Sequence, residues 1–353
     1  MAVKKTASTG YRSMDQRKRR PRIAVDAMGG DFAPEEIVAG SLAAARLGYA
    51  DLTLVGDEGR VRPLLKGPGA AEIAVVHAPD AVPMDQHASQ ALRQADTTSL
   101  GMAVGLVKAG LADAVVSAGN SGAFLAIALI KLRTISGIAR PAIATVWPAL
   151  GGPMVLLDSG ANVDCRPEWL EQFGMMGSAY AKAVLKIERP RVAILSVGEE
   201  RTKGNQQTLE AAALLARAPI DFIGNIEGKD LFYNHADVVV ADGFVGNVVL
   251  KTGEGMISAF GKVVKEAILE GSLLTKAGAA LVAPALRRLR TKFDYETYGG
   301  APLLGLRGNC IVTHGRSMRN AIKHAIRAAA DEFENDVVGK ITELVEPHLA
   351  KEA

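Results

Sequence analysis

Cysteine and aromatic residues are scarce in this 353-residue chain: two of the former, Cys165 and Cys310, and 5% of the latter. Two distant cysteines give neither a disulfide framework nor metal-ligand spacing. A composition poor in aromatics and rich in Ala and Gly suits helices packed closely on a sheet better than a β-sandwich. No apolar run reaches the ~18–20 residues of a membrane-spanning helix, and the N-terminal stretch lacks the apolar core of a signal peptide. The chain therefore reads as soluble and cytoplasmic. Also missing are a G-x-x-x-x-G-K-S/T phosphate loop, a G-x-S-x-G nucleophile elbow and a G-x-G-x-x-G in the first βα turn. Cys165 stands just before an expected helix, where a thiol pKa is lowered, but no His is near it in sequence.

Charge of one sign is concentrated at one end. Residues 1–22 carry Lys4, Lys5, Arg12, Arg17, Lys18, Arg19, Arg20 and Arg22 against Asp15, a net of +7; from the formal +3 this leaves −4 for the rest. A nucleic-acid partner would rest on this arm alone, so none is expected. We expect residues 1–21 to form a disordered basic arm and 22–353 a single α/β domain. Hydrophobic residues, 48% of the chain, are enough for a sizeable core.

What the chain does have is five apolar runs that each end in Gly with Asn, Asp or Ser. They are Asp26-Ala27-Met28-Gly29-Gly30-Asp31, Ser117-Ala118-Gly119-Asn120-Ser121-Gly122, Asp158-Ser159-Gly160-Ala161-Asn162, Ile223-Gly224-Asn225 and Asp242-Gly243-Phe244-Val245-Gly246-Asn247. In open α/β folds ligands bind outside the carboxyl ends of the strands. Gly admits close backbone approach, and Asn offers both a donor and an acceptor. The five clusters point to one polar cleft. Its candidate binding residues are Gly29, Gly30, Asn120, Ser121, Gly122, Asp158, Asn162, Asn205, Asn225, Asp242 and Asn247.

Strand and helix alternate from Arg22 onward, the pattern of a largely parallel sheet covered on both faces. Pro34-Glu35-Glu36 opens the first helix. Glu168–Leu185 is a long helix whose Phe173, Met176, Tyr180 and Val184 form a core stripe. Strands are expected at Ala142–Val146, Met154–Leu157, Phe222–Ile223 and Ile311-Val312, with closing helices over 317–333 and 335–349. The rhythm breaks after Asn247, where two helical patterns follow without a strand, a protruding excursion over about 248–292.

Two residues stand out for chemistry. Lys203, flanked by Gly and Asn after the strand ending at Ser196, is placed to meet an anion. His314 lies in Thr313-His314-Gly315-Arg316-Ser317 between a strand and a helix that Ser317 can cap. A His here can donate a proton or satisfy backbone.

Four of these clusters, the first, second, third and fifth, together with Gly300-Ala301-Pro302-Leu303-Leu304-Gly305 and His314-Gly315-Arg316-Ser317, resemble the phosphate acyltransferases called PlsX, from about residue 22 to the C-terminus. The resemblance implies transfer of an acyl group from acyl-acyl-carrier-protein to inorganic phosphate, a fold like that of the isocitrate and isopropylmalate dehydrogenases, and a homodimer without metal or other cofactor. Phosphate then attacks the thioester itself. Asn120, Ser121, Asn162, Asn225 and Asn247 supply neutral donors, Lys203 neutralises phosphate or oxyanion, and His314 protonates the leaving thiolate. The basic arm is extra to the family. Leu92-Arg93-Gln94-Ala95-Asp96 lacks a basic residue often found there, so no site is placed on it.

Two other readings compete. A metal- and NAD-dependent 2-hydroxyacid dehydrogenase on the same fold would need acidic ligands, such as Asp26, Asp31, Asp158 and Asp242, gathered on a cation. A non-catalytic lipid or carrier-protein module would have no use for five polar loops. Finally, Gly271–Leu286 carries Lys276 as its one charge and is followed by Arg287, Arg288, Arg290 and Lys292. Too short and broken to span a bilayer, it reads as a dimer hairpin whose tip touches the inner face of the cell membrane.

Overall fold

The computed structural model describes residues 19–292 and 299–352, so most of the expected basic arm lies outside it. Among these residues eleven strands form one sheet: β1 (Arg22–Asp26), β2 (Asp51–Gly56), β3 (Ala74–His77), β4 (Ala114–Ser117), β5 (Ala142–Ala149), β6 (Gly152–Leu157), β7 (Arg191–Leu195), β8 (Asp221–Ile226), β9 (Val238–Val240), β10 (Ala301–Leu304) and β11 (Asn309–Val312). Their order is β3-β2-β1-β4-β11-β10-β5-β6-β9-β7-β8. The helices are α1 (Glu35–Arg46), α2 (Glu58–Val61), α3 (Ala88–Arg93), α4 (Ser99–Lys108), α5 (Ser121–Leu132), α6 (Pro167–Ala183), α7 (Gln206–Leu215), α8 (Gly243–Glu270), α9 (Leu273–Lys292), α10 (Arg319–Glu334) and α11 (Val337–Glu352).

The sheet consists of two parallel halves joined by antiparallel pairing. The strands β3, β2, β1, β4 and β11 run parallel, as do β6, β9, β7 and β8. Between them β10 pairs antiparallel with β11 and β5, and β5 pairs antiparallel with β6. The halves thus run in opposite directions. Val312 pairs with Ala301, Leu303 with Ile143, and Ala144 with Leu157. These registers bring the carboxyl ends of β11 and β6 to nearly one level across the central pair.

The inner strands of each half are buried on both faces, as parallel strands require. In β1, Ile23 and Val25 face α1 and α10, against Ile37, Ile322 and Ile326. Ala24 faces the other way, with Val115, toward Leu100 of α4 and Phe124 and Ile127 of α5. In the second half Leu157, Val192, Ile194, Val238 and Val240 pack on Phe173, Met176 and Tyr180 of α6, the core stripe read from the sequence. Their neighbours Leu156, Ala193 and Val239 pack under Trp147 and the first turns of α8. Truncating a buried residue such as Phe173 to Ala costs about 3–5 kcal/mol.

The strand readings differ from the structure in three places. The strands β5 and β6 are a hairpin joined by Leu150 and Gly151, a link too short for parallel neighbours. The cluster Ile223-Gly224-Asn225 lies inside β8, where the β7–β8 register shifts, and is not a loop after it. The strand β10 was not expected; its Pro302, after Gly299 and Gly300, reads locally as a turn.

Inter-element ion pairs fix the first half. The Glu36 carboxylate of α1 accepts from the Arg319 backbone N–H (2.8 Å) and its guanidinium, supplying from α1 the N-terminal cap that α10 lacks in its own side chains. Arg19, in the stretch assigned to the arm, donates to both Asp113 oxygens (2.7 and 2.6 Å), and the Arg22 backbone N–H adds a third bond (2.9 Å). Order therefore begins before β1. Burial raises the Asp113 carboxyl, but Arg19 and Arg22 outweigh it and hold it below the usual carboxylate range. Asp113→Asn should lower stability by about 1.5–3 kcal/mol at neutral pH, the scale of hydrogen bonds to a charged group. A carboxyl lowered by folding stabilises above its unfolded pKa and loses that contribution as pH falls through its folded one. Urea unfolding should show the gap between wild type and variant closing below about pH 4; a gap independent of pH would refute this account.

Candidate active site

The glycine clusters bring the backbone close where side chains would collide. A Cβ on Gly29 would lie 2.4 Å from Asp26 Oδ2 and 2.8 Å from Gly119 N, so the loops after β1 and β4 interlock there. Asp26 lies beneath them, 1% exposed, accepting from the hydroxyls of Ser99 (2.6 Å) and Ser117 (2.7 Å). Burial pushes its carboxyl up against these donors. Gly30 has φ +108°, and the next N–H, of Asp31, donates to Gly315 O at 2.8 Å, which ties this loop to the one carrying His314.

Most of the predicted Asn and Asp side chains are engaged with the protein's own backbone. Asn120 caps α5 through Ala123 N (3.0 Å), and its Nδ2 donates to the carbonyls of Met84 and Gln86 (2.9 Å each). Asn205 caps α7 and Asp242 caps α8. Asn225 Nδ2 donates to the carbonyls of Glu200 and Lys203, bracing the Lys203 loop. Asp158, fully buried, accepts from the backbone of Ile143 (3.0 Å), Gly160 (3.1 Å), Ala161 (3.0 Å) and Asn162 (2.7 Å) and from Asn162 Nδ2 (2.8 Å). Burial pushes its carboxyl up while these donors pull it down. Asn162 also donates to Pro141 O.

A cleft of about 330 Å3 opens over the central strands. Ser121, Thr313, His314 and Ser317 come to it from the first half, Ser159, Gly160, Asn247, Lys251 and Glu254 from the second, and Thr145 from β5. Ile143, Val146, Leu250 and Val312 form its apolar wall. Of the predicted residues, Ser121, Asn247 and His314 line it. Gly29, Gly30, Asn120, Gly122, Asp158, Asn162, Asn205, Asn225, Asp242 and Lys203 do not. Lys203 is exposed on the loop after β7, at the same edge of the second half. Sequence reading missed Thr145, Ser159, Thr313, Ser317, Lys251 and Glu254. Ser317 does not cap α10, whose N-cap is Met318; it is buried at the cleft instead. A larger groove, about 660 Å3, lies at the amino ends of β7 and β8 beside Lys182, Arg189 and Lys340, and no glycine cluster reaches it.

The cleft is equipped to hold an oxyanion. Five serine and threonine residues line it, Ser121, Thr145, Ser159, Thr313 and Ser317, with one amide and one ammonium group. Thr145 and Ser159 share a hydrogen bond of 2.7 Å, and Ser159 Oγ donates to Ile143 O at 3.0 Å. The Arg316 backbone N–H donates to His314 Nδ1 at 3.1 Å, which leaves Nε2 as the protonated nitrogen of the neutral ring. The Cys165 thiol is held in its protonated form. Burial pushes its thiol up to about 12 against the pull of the Gly243 N–H, and Asp158, Asp242 and Asp164 add to the rise. Among the described residues no three His, Cys, Asp or Glu gather as metal ligands.

Comparison with known proteins gives the family. A family model described as "Fatty acid synthesis protein" matches residues 21–340. A phosphate acyltransferase of Thermodesulfovibrio yellowstonii is 48% identical over 91% of this chain and 93% of its own length. The chain belongs to the phosphate acyltransferase family and is an acyltransferase. A second member, from Pelotomaculum thermopropionicum, is 50% identical over 92% of this chain and 95% of its own. Among solved structures, a phosphotransacetylase from Streptococcus pyogenes has a TM-score of 0.60 at 18% identity, covering 93% of this chain and 100% of that one. A 4-hydroxythreonine-4-phosphate dehydrogenase from Klebsiella pneumoniae has 0.52 at 15%, covering 88% and 98%. At such identities the likeness is one of fold, and it matches the α/β class read from the sequence.

With both thiols held protonated by burial, neither cysteine should be needed for turnover. Cys165→Ala with Cys310→Ala should keep most of the turnover, and an acyl-enzyme thioester trapped on Cys165 would overturn that conclusion.

Proposed function

We propose that the chain transfers a fatty acyl group from acyl-acyl-carrier-protein to inorganic phosphate, releasing the carrier thiol and an acyl-phosphate for phospholipid synthesis. The observation that carries this reading is the hydroxyl-lined cleft with its single ammonium group, in a chain of the phosphate acyltransferase family. A phosphate oxygen attacks the thioester carbonyl, the C–S bond breaks, and the thiolate takes up a proton. The protein positions two reactants and stabilises the oxyanion between them. The proton that the attacking phosphate oxygen loses ends on the thiolate, and His314 mediates that transfer at Nε2, its ring neutral before and after. Ser121 and Asn247 orient the reactants, and the loops built on Gly29, Gly30, Gly122, Asp158 and Asn162 hold them in place. Lys203, on the flanking loop, meets the developing negative charge from the rim, with Asn205 and Asn225 fixing that loop.

The dehydrogenase alternative is not favoured. Asp26, Asp158 and Asp242, on which it would draw, are each occupied by N–H or O–H donors.

Thiol release should depend on phosphate and need neither added metal nor nucleotide; release without phosphate, or loss of activity in EDTA, would refute the assignment. In the same assay Lys203→Ala should slow turnover by about 10²-fold, the scale of one oxyanion donor, and a folded variant of near wild-type rate would remove Lys203 from the site.

We further propose a homodimer of this cytoplasmic enzyme that pairs through α8 and α9 and touches the inner face of the membrane through Gly271–Leu286. Met256, Phe260 and Val263 of α8 and Leu273, Leu274 and Leu281 of α9 are exposed, and among the described residues no helix is long and apolar enough to cross a membrane. Sedimentation should give a dimer, and Leu274→Glu should weaken binding to anionic liposomes. A monomeric wild type, or equal co-sedimentation of wild type and variant, would refute the corresponding half.

A further inference from the structure

The helix α8 presents two stripes that do different work. Gly243, Gly246 and Gly253 are its buried positions, and each is a point where backbone or ring fills the space of a side chain. A Cβ on Gly243 would lie 2.5 Å from Asn162 O, one on Gly246 1.9 Å from Asp158 O, and one on Gly253 2.2 Å from the Trp147 ring. Three such contacts between Gly243 and Gly253 fix the rotation of the helix about its axis. The adjacent stripe, Asn247, Leu250, Lys251 and Glu254, has the i, i+3, i+4, i+7 spacing of one helix face and lines the cleft.

Charge in the cleft is balanced by one pair. Among the residues that line it, Lys251 is the one Lys or Arg and Glu254 the one carboxylate. Their Nζ–Oε2 distance is 2.8 Å, and the side chains are 48% and 22% exposed. An exposed pair at this spacing is weak, and an oxyanion carrying close to two charges binds an ammonium group more strongly. A second feature of the same cleft is an unpaired polar group. Thr313 is 7% exposed, and its hydroxyl has no hydrogen-bond partner.

We propose that Lys251 is the cation that holds the phosphate nucleophile, and that Glu254 is the counter-ion it gives up when phosphate enters. This rests on the acyl-to-phosphate reading above. In the empty cleft Glu254 keeps the ammonium group oriented. With phosphate bound, Lys251 turns to the phosphate oxygens beside Asn247, while Glu254 opposes the incoming charge and sets the phosphate concentration at which the site fills. The pair therefore has a sign that a merely structural ion pair lacks: removing the cation weakens phosphate binding, and removing the carboxylate strengthens it.

The test is steady-state thiol release by the full-length chain, varying phosphate at saturating acyl carrier protein and then the reverse. Lys251→Gln should raise the phosphate KM by about 10- to 100-fold, the loss of one charge-assisted hydrogen bond, with the donor KM unchanged. Lys251→Arg should restore most of the phosphate affinity, and Glu254→Gln should lower the phosphate KM. A phosphate KM unchanged in Lys251→Gln, or raised in both Lys251→Gln and Glu254→Gln, would overturn the proposal. Should Lys251→Gln fail to fold, the direction of the Glu254→Gln effect decides alone. Wild-type release that ignores phosphate would instead sink the underlying reading of the reaction.

Discussion

Five N–H groups converge on the carboxylate of Asp158, and the geometry of the cleft follows from that convergence. One donor belongs to Ile143 on β5, so the carboxylate binds the central strands to the loop after β6. The other four belong to that loop itself and fold residues 160–162 around the acid. The loop in turn receives the glycine stripe of α8, whose backbone comes closer to Asp158 O and Asn162 O than any side chain would permit. The orientation of Asn247 and Lys251 is thus set by a buried carboxylate that does not line the cleft. Removing one member of such a set leaves buried N–H groups without a partner, at about 1–3 kcal/mol each.

The same division of labour runs through both halves. Asparagine and aspartate cap helices and brace loops: Asn120 for α5, Asn205 for α7, Asp242 for α8, Asn225 for the Lys203 loop. The groups left for a ligand are hydroxyls, one amide, one imidazole and the face of α8. Because the halves run in opposite directions and meet over β10 and β5, each contributes its carboxyl-terminal loops to a single opening. Neither half alone carries both His314 and Lys251.

The alternation of strands and helices, the core stripe of α6 and the strand-free excursion after Asn247 were all legible, because each is a periodic apolar pattern. The orientation of β5 and β6 was legible too, in the brevity of the Leu150-Gly151 link, and went unread. The strand β10 was hidden by Gly299, Gly300 and Pro302, which read locally as a turn while the sheet centre overrides them. Three of the glycine clusters send residues to the cleft, Ser121, Ser159 with Gly160, and Asn247. They did not show which polar atoms remain free, since that depends on partners distant in sequence, such as Met84 O for Asn120 and Pro141 O for Asn162. The spacing of Asn247, Lys251 and Glu254 was visible as one helical face, but its direction is fixed only by the glycine contacts with Asp158 and Trp147.

Glu36 reaches from α1 to cap α10, two residues beyond the loop that ends at Ser317. Activity loss on substitution will therefore be a poor map of chemistry in this enzyme. Replacing Glu36, Asp26 or Asp158 would leave buried donors unpaired and let the cleft walls shift, and a survey scored by turnover alone would rank these scaffolding acids beside the residues that touch substrate. Only measurements that separate foldedness from rate, position by position, can distinguish the frame from the tools it holds.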